Sequence, residues 1–157
     1  MASTFGLAGV VVITGTDEAD LSALGGGSAA VNSPDGDVNV FSGGAITLGA
    51  DAHGNLQIGS DGTLSGSSTS DTGDVQVVAV GNLSGTLTAT QGSVTALSVA
   101  TESATVAAGT DATVFGGRGL GGGVIAGHNV QAVSYGSISA LPASRRATIC
   151  GCLALGM

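Results

Sequence analysis

A short unit recurs along the chain every 17 to 19 residues, and this repeat constrains the fold more than any other feature. Each copy begins with a turn residue, followed by a polar or small residue and then alternating aliphatic residues. The copies begin at Gly36, Gly54, Gly73, Gly92, Asp111 and His128. A second series with nearly the same spacing lies between them, at Gly44-Ala45-Ile46, Gly62-Thr63-Leu64 and Gly81-Asn82-Leu83. Two interleaved series with one period indicate a chain built by stacking one unit.

The alternation inside each unit predicts strands rather than helices. In Val38-Asn39-Val40, Leu56-Gln57-Ile58 and Val75-Gln76-Val77, apolar residues sit at every second position, which is the strand period. Turn residues interrupt these segments every 8 to 11 residues. We therefore predict an all-β chain, folded as a right-handed parallel β-helix (β-solenoid) of about six coils of roughly 18–19 residues. A left-handed solenoid is the alternative, but its strict six-residue period fits these intervals poorly.

Stacked coils place equivalent residues above one another, so the repeat also predicts ladders of side chains. The predicted inward ladders are Val38, Leu56, Val75 and Val94, and Ile46, Leu64 and Leu83. The predicted outward column is Ser67, Thr86 and Thr105. The composition agrees with a narrow interior, because the chain has 29 Gly and 43% hydrophobic residues but only 3% aromatic residues.

The charge balance excludes two classes of protein. The chain has 3 basic and 11 acidic residues, for a net charge of −8. Three arginines cannot form the basic face that a nucleic-acid partner requires. No uninterrupted apolar stretch reaches the length of about 18 residues that a membrane-spanning helix needs, so we predict no membrane span.

The repeat suggests three regions. Residues 1–35 fit the pattern poorly and are predicted to form an N-terminal cap or a degenerate coil, with a strand at Val10–Ile13. Residues 36–140 are the solenoid repeats. After Pro142 the repeat stops, and residues 141–157 are predicted to form a C-terminal tail or cap.

Gly81–Ala89 (GNLSGTLTA) and Gly92–Ala96 (GSVTA) resemble the repeats of bacterial secreted parallel β-helix proteins. These include filamentous-haemagglutinin-like adhesins, autotransporter passengers and planctomycete-type surface repeat proteins. The resemblance covers about residues 36–140. It implies a right-handed parallel β-helix, an extracellular or cell-surface location, and a role in attachment or filament formation. It implies no catalytic residues.

Two kinds of motif resemble ligand-binding sites, and for each we favour an interpretation as ordinary loop or turn structure. Gly117–Gly122 matches the G-x-G-x-x-G pattern of dinucleotide sites, but no helix pattern or acidic residue follows, so we predict a loop. The Asp and Gly clusters are consistent with a weak calcium site or with ordinary turns, and Asp37, Asn55 and Asp74 share one repeat position.

The remaining candidates also lack an arrangement for catalysis. His53 and His128 lie in turn-like segments, and Cys150 and Cys152 are the only cysteines, either reduced or paired between chains. We assign no catalytic, cofactor-binding or metal-binding residues and predict that the protein is not an enzyme.

The expected function is that of a non-enzymatic, acidic, extracellular structural or adhesive repeat protein that self-associates end to end into filaments. A surface glycan or protein is the other expected partner. Two alternatives stay open: a carbohydrate-binding or carbohydrate-active β-helix protein, and an ice-binding solenoid that uses the Thr column.

Overall fold

The computed structural model describes residues 2–4, 10–139 and 141–151, and these contain strands and turns but no helix. The twenty strands are short, as the spacing of the turn residues predicts. They are β1 (Ala2–Thr4), β2 (Val10–Thr14), β3 (Glu18–Ala23), β4 (Gly27–Ser33), β5 (Asp37–Ser42), β6 (Ile46–Ala52), β7 (Leu56–Ser60), β8 (Leu64–Ser70), β9 (Val75–Ala79), β10 (Thr86–Ala89), β11 (Val94–Ser98), β12 (Thr101–Glu102), β13 (Thr105–Ala108), β14 (Ala112–Gly116), β15 (Gly119–Leu120), β16 (Gly123–Ala126), β17 (Asn129–Ser134), β18 (Ser137–Ile138), β19 (Leu141–Ala143) and β20 (Arg146–Gly151).

The strands form three parallel sheets that run along the length of the molecule. A nine-stranded sheet has the order β1-β3-β5-β7-β9-β11-β14-β17-β20, and an eight-stranded sheet has the order β2-β4-β6-β8-β10-β13-β16-β19. A three-stranded sheet, β12-β15-β18, forms a third side in the later coils. The chain passes from one sheet to the other and returns one layer further on, which is the connectivity of a β-solenoid.

The prediction of an all-β parallel solenoid is confirmed, but the coil count of six is too low. The structure has about eight turns. The additional coils lie outside the recognisable repeats: β3 pairs with β5, and β20 pairs with β17. Parallel strands can pair in coils that lack the turn glycine found at the start of the central repeats. Counting recognisable repeats therefore gives too few coils.

The predicted ladders are confirmed by the register of the strands. Val38 pairs with Leu56, Leu56 with Val75, and Val75 with Val94, and all four side chains are buried. The outward column is also in register, because Ser67 pairs with Thr86 and Thr86 with Thr105. Burial of each Val or Leu side chain contributes about 1.5–3 kcal/mol, so the inward ladders hold the coils together.

Among the described residues the narrow core contains no aromatic ring, and the aromatic side chains face outward. Its buried hydrophobic residues are Ala, Val, Leu and Ile. Phe41 and Tyr135 are exposed, with 47% and 63% of their surfaces accessible. Phe115 lies outward on β14, and its ring meets that of Tyr135 edge to face with a centroid distance of 5.6 Å.

Buried serines satisfy the backbone where the chain turns a corner. The Oγ of Ser98 donates to the carbonyl of Gly81 at 2.9 Å, and the Oγ of Ser134 donates to that of Gly116 at 2.7 Å. The same arrangement recurs at Ser60, whose Oγ donates to Gly44. An unpaired buried carbonyl costs about 1–3 kcal/mol, which explains why a hydroxyl occupies this inward position.

Candidate functional site

Gly117–Gly122 does not have the structure of a nucleotide site. The segment contains the short strand β15 and leads into strand β16, so no helix N-terminus is present there to hold a phosphate. The predicted loop is therefore wrong in part. Gly119 pairs with Thr101 and Ser137, and the Leu120 side chain is buried in the core. Part of this glycine-rich segment is therefore a strand that is paired on both sides.

The aspartates at the repeat corners make hydrogen bonds between coils. The Oδ1 of Asp37 accepts the backbone N–H of Asn55 at 2.6 Å, and the Oδ1 of Asn55 accepts the N–H of Asp74 at 3.1 Å. In the next coil the Oδ1 of Asp74 accepts the backbone N–H of Ser93 at 2.8 Å. One oxygen of each of these three side chains thus accepts a backbone N–H of the next coil. Within residues 2–4, 10–139 and 141–151, no three His, Cys, Asp or Glu side chains converge as metal ligands.

His53, His128 and Cys150 are all exposed in the described part of the chain. The Nδ1 of His53 lies 3.8 Å from an Oδ of Asp71, and both side chains are about half exposed or more. His128 is exposed in a turn. Cys150 is a free, exposed thiol on β20, whereas Cys152 lies outside the described residues.

The Thr column is short. Beside it, Thr69 pairs with Thr88, and Thr88 pairs with Ala107. Ile125 follows Ala107 in the same register and is exposed. The hydroxyl-bearing face therefore spans few coils before aliphatic residues replace it.

The residue that sequence reasoning missed is Glu102, which is fully buried. Glu102 pairs in register with Leu83 of the coil before it and with Leu120 of the coil after it. Its Oε1 accepts the N–H of Ala104 at 2.8 Å, and its Oε2 has no partner within the described part of the chain. Desolvation raises the pKa of Glu102 from 4.5 to about 7, against the opposing effect of the Ala104 N–H. The spacing carried a signal, because Glu102 follows Leu83 by one repeat of 19 residues.

The outer face of the nine-stranded sheet carries two adjacent columns of different chemistry. The apolar column contains Phe41, Gly59, Val78, Leu97, Phe115 and Val133. The polar column contains Asp20, Asn39, Gln57, Gln76, Thr95, Thr113 and Gln131. Across β3, β5, β7 and β9 the two columns line a groove of about 410 Å³. We call this the Phe41 groove.

The C-terminal end of the solenoid leaves its core uncovered by the described residues. Ile149 of β20 pairs with Ala132 and continues a buried inward ladder, yet 51% of its surface is exposed. Ala132 itself is only 1% exposed. In the described structure β20 is the last strand of its sheet, so its outer edge has backbone groups without a strand partner.

The charges are segregated along the solenoid axis. All eleven acidic residues lie at or before Asp111, and all three arginines lie at or after Arg118. Asp17, Glu18 and Asp20 lie in the early coils, whereas Arg145 and Arg146 lie in the last one. The two ends of the molecule therefore have opposite charge.

These features define the class of protein: a β-solenoid repeat protein with three parallel sheets and with its acidic and basic residues segregated along the axis. No family model, curated protein or solved structure matches the chain. The described residues contain no helix that is long and apolar enough to span a membrane.

Proposed function

We propose that this protein is a non-enzymatic structural or adhesive repeat protein, exposed at a cell surface or secreted, whose copies stack head to tail into filaments. The observation that carries the proposal is the C-terminal coil, where Ile149 continues the buried ladder of Ala132 and yet has 51% of its surface exposed. A second copy placed on this end would bury that ladder and pair the edge of β20.

The other end of the solenoid offers a matching surface. Val11 and Ile13 of β2 pair with Ala29 and Val31, and both are only partly buried against the core. Among the described residues, an inward aliphatic ladder is therefore incompletely covered at each end. A coil of the next copy can continue both ladders, because parallel coils pair through the same backbone geometry throughout.

Charge favours a head-to-tail order over other arrangements. The end that carries Arg145 and Arg146 attracts the end that carries Asp17, Glu18 and Asp20. Two identical ends repel each other, so contacts between unlike ends are favoured. Repeated head-to-tail contacts of this kind produce a filament rather than a closed dimer. The secreted or surface location rests on the resemblance of the repeats to those of bacterial β-helix proteins.

Electron microscopy and light scattering over a range of protein and salt concentrations test the proposal. We expect filaments at low salt, whose length increases with protein concentration and decreases as salt screens the charges. Replacing both terminal arginines, Arg145→Glu and Arg146→Glu, is expected to abolish filaments. Arg118→Glu serves as a control. It makes the same Arg-to-Glu change once instead of twice, at a position outside the terminal coil, and is expected to leave the filaments intact.

Ile149→Asp provides a second test that does not depend on the arginines. It places a charge where the next copy would bury an aliphatic side chain, so we expect monomers at every concentration. Compact monomers of the unaltered protein over the whole range would contradict the filament proposal.

A further inference from the structure

The Phe41 groove has the composition of a ligand site on a surface that the proposed end-to-end assembly does not use. It crosses the outer face of β3, β5, β7 and β9, and its volume of about 410 Å³ falls in the range of ligand clefts. Its lining combines an exposed aromatic ring with amide side chains and one carboxylate. End-to-end stacking leaves the outer face of the nine-stranded sheet free, so the groove stays accessible in a filament.

A glycine makes room for the aromatic ring. Gly59 faces outward beside Phe41 on the neighbouring strand, and a Cβ at position 59 would lie 3.2 Å from the Phe41 Cδ2. The ring thus leans over the bare backbone of Gly59. Val78 follows in the next coil and is 47% exposed, which extends the apolar surface.

The polar side of the groove is a row of hydrogen-bonding groups. The Nδ2 of Asn39 donates to Asp20 at 3.1 Å and to Glu18 at 2.9 Å, and these two bonds hold the amide in place. Gln57 and Gln76 follow in register and are exposed, so each presents an amide donor and a carbonyl acceptor. The row follows the strand spacing of about 4.8 Å along the axis.

The strand pairing and the charges around the groove exclude some classes of ligand and favour another. A strand of a protein partner cannot extend the sheet here, because β5 and β7 are paired on both sides. An anionic polymer or membrane is repelled, because Asp20 and Glu18 lie at the site and all arginines lie at or after Arg118. A pyranose ring has an apolar C–H face and a rim of hydroxyls, which match an apolar column beside a row of amides.

We propose that the Phe41 groove binds a neutral oligosaccharide, with a sugar ring stacked on Phe41 and its hydroxyl groups hydrogen-bonded to Gln57 and Gln76.

The direct test is titration of the full chain with a panel of neutral hexasaccharides: cellohexaose, chitohexaose, mannohexaose and xylohexaose. Hexagalacturonate serves as the anionic comparison. We expect at least one neutral member to bind by calorimetry and to shift the ¹H–¹³C NMR signals of Phe41 and Val78, but not those of Ile125 on the other sheet. Hexagalacturonate is expected not to bind.

Two variants test the assignment to this groove. Phe41→Ala is expected to weaken binding at least tenfold, and Gly59→Val is expected to abolish it by displacing the ring. Phe115→Ala removes an aromatic side chain from the same outward column, outside the groove, and is expected to keep the affinity. Absence of binding by all four neutral sugars, or equal affinity in Phe41→Ala, would overturn the proposal. Neither result would bear on filament formation.

Discussion

Inside the core, the carboxyl group of Glu102 accepts a hydrogen bond of 2.8 Å from the backbone N–H of Ala104. The second carboxyl oxygen has no partner in the described chain, and the adjacent ladder members are Leu83 and Leu120. Ionising this group places a charge in an apolar interior, which is strongly unfavourable. The protonation of Glu102 therefore couples the stability of the surrounding coils to pH.

We expect the free energy of unfolding to decrease as pH rises from about 4.5 to 7. Burial raises the pKa of Glu102 from 4.5 to about 7, so in this window the native state binds a proton that the unfolded state has released. The loss reaches on the order of 3 kcal/mol and is complete above the native pKa. Urea denaturation from pH 4 to 8 measures it. Glu102→Gln is the control, and an identical pH dependence in this variant would assign the effect to other groups.

A second substitution at the same position tests the ladder itself. Glu102→Leu continues the series of Leu83 and Leu120, and it removes the unpaired carboxyl oxygen. We expect this variant to be more stable than the unaltered protein at pH 8, by about 1–3 kcal/mol. The difference is expected to shrink at pH 4, where Glu102 is neutral. Thermal denaturation at the two pH values measures it, and a lower melting temperature at pH 8 would contradict the expectation.

Two glycines with different surroundings form a matched pair of tests. Gly85 has a φ of +111°, and a Cβ there would lie 1.9 Å from the carbonyl oxygen of Gly66. We expect Gly85→Ala to lower stability by about 3 kcal/mol or more, because both backbone strain and a backbone clash oppose it. Gly49 has no atom within 4 Å of its added Cβ, so Gly49→Ala is expected to be neutral or slightly stabilising. Urea midpoints of the two variants check this, and similar losses in both would contradict it.

The hydrogen bond from the Ser93 N–H to Asp74 indicates that the residue at this corner must offer a side-chain oxygen as acceptor. Asp74→Ala removes the oxygen that accepts the Ser93 N–H, and we expect a loss of about 1 kcal/mol. Asp74→Asn keeps this oxygen, as Asn55 does in the coil before, and is expected to retain most of the stability. Thermal denaturation with calcium and with a chelator completes the test. A large stabilisation by calcium would show instead that these carboxylates bind a cation.

Hydrogen exchange is expected to vary along the solenoid axis. Each coil contacts only its neighbours, so the terminal strands β1 and β20 should exchange fastest and the central strands β9 and β11 slowest. If copies stack head to tail, protection of β20 is expected to rise with protein concentration while that of β11 stays constant. Uniform protection along the whole chain would contradict this picture.

The parallel architecture and the central ladders could be predicted from the repeat in the amino-acid sequence. Val38, Leu56 and Val75 can be assigned to one column because each coil repeats the same turn and strand lengths. The position of Gly85 also follows from the repeat, but its positive φ and its contact with Gly66 do not. When coils of constant length stack, each residue lies above the residue one repeat earlier. The repeat length is therefore enough to predict the register of the strands.

Features that depend on contacts between coils, or on the position of a coil in the stack, became visible only in the folded structure. Phe41 and Gln57 are far apart along the chain, and stacking places them beside one groove. Glu102 resembles a surface residue until its column places it between two leucines. Ile149 is aliphatic like the residues below it, yet it is exposed because no described layer follows. The surroundings of Glu102, Ile149 and Phe41 are set by contacts between coils, so the alternation within one coil, which did predict the inward ladders, could not give them.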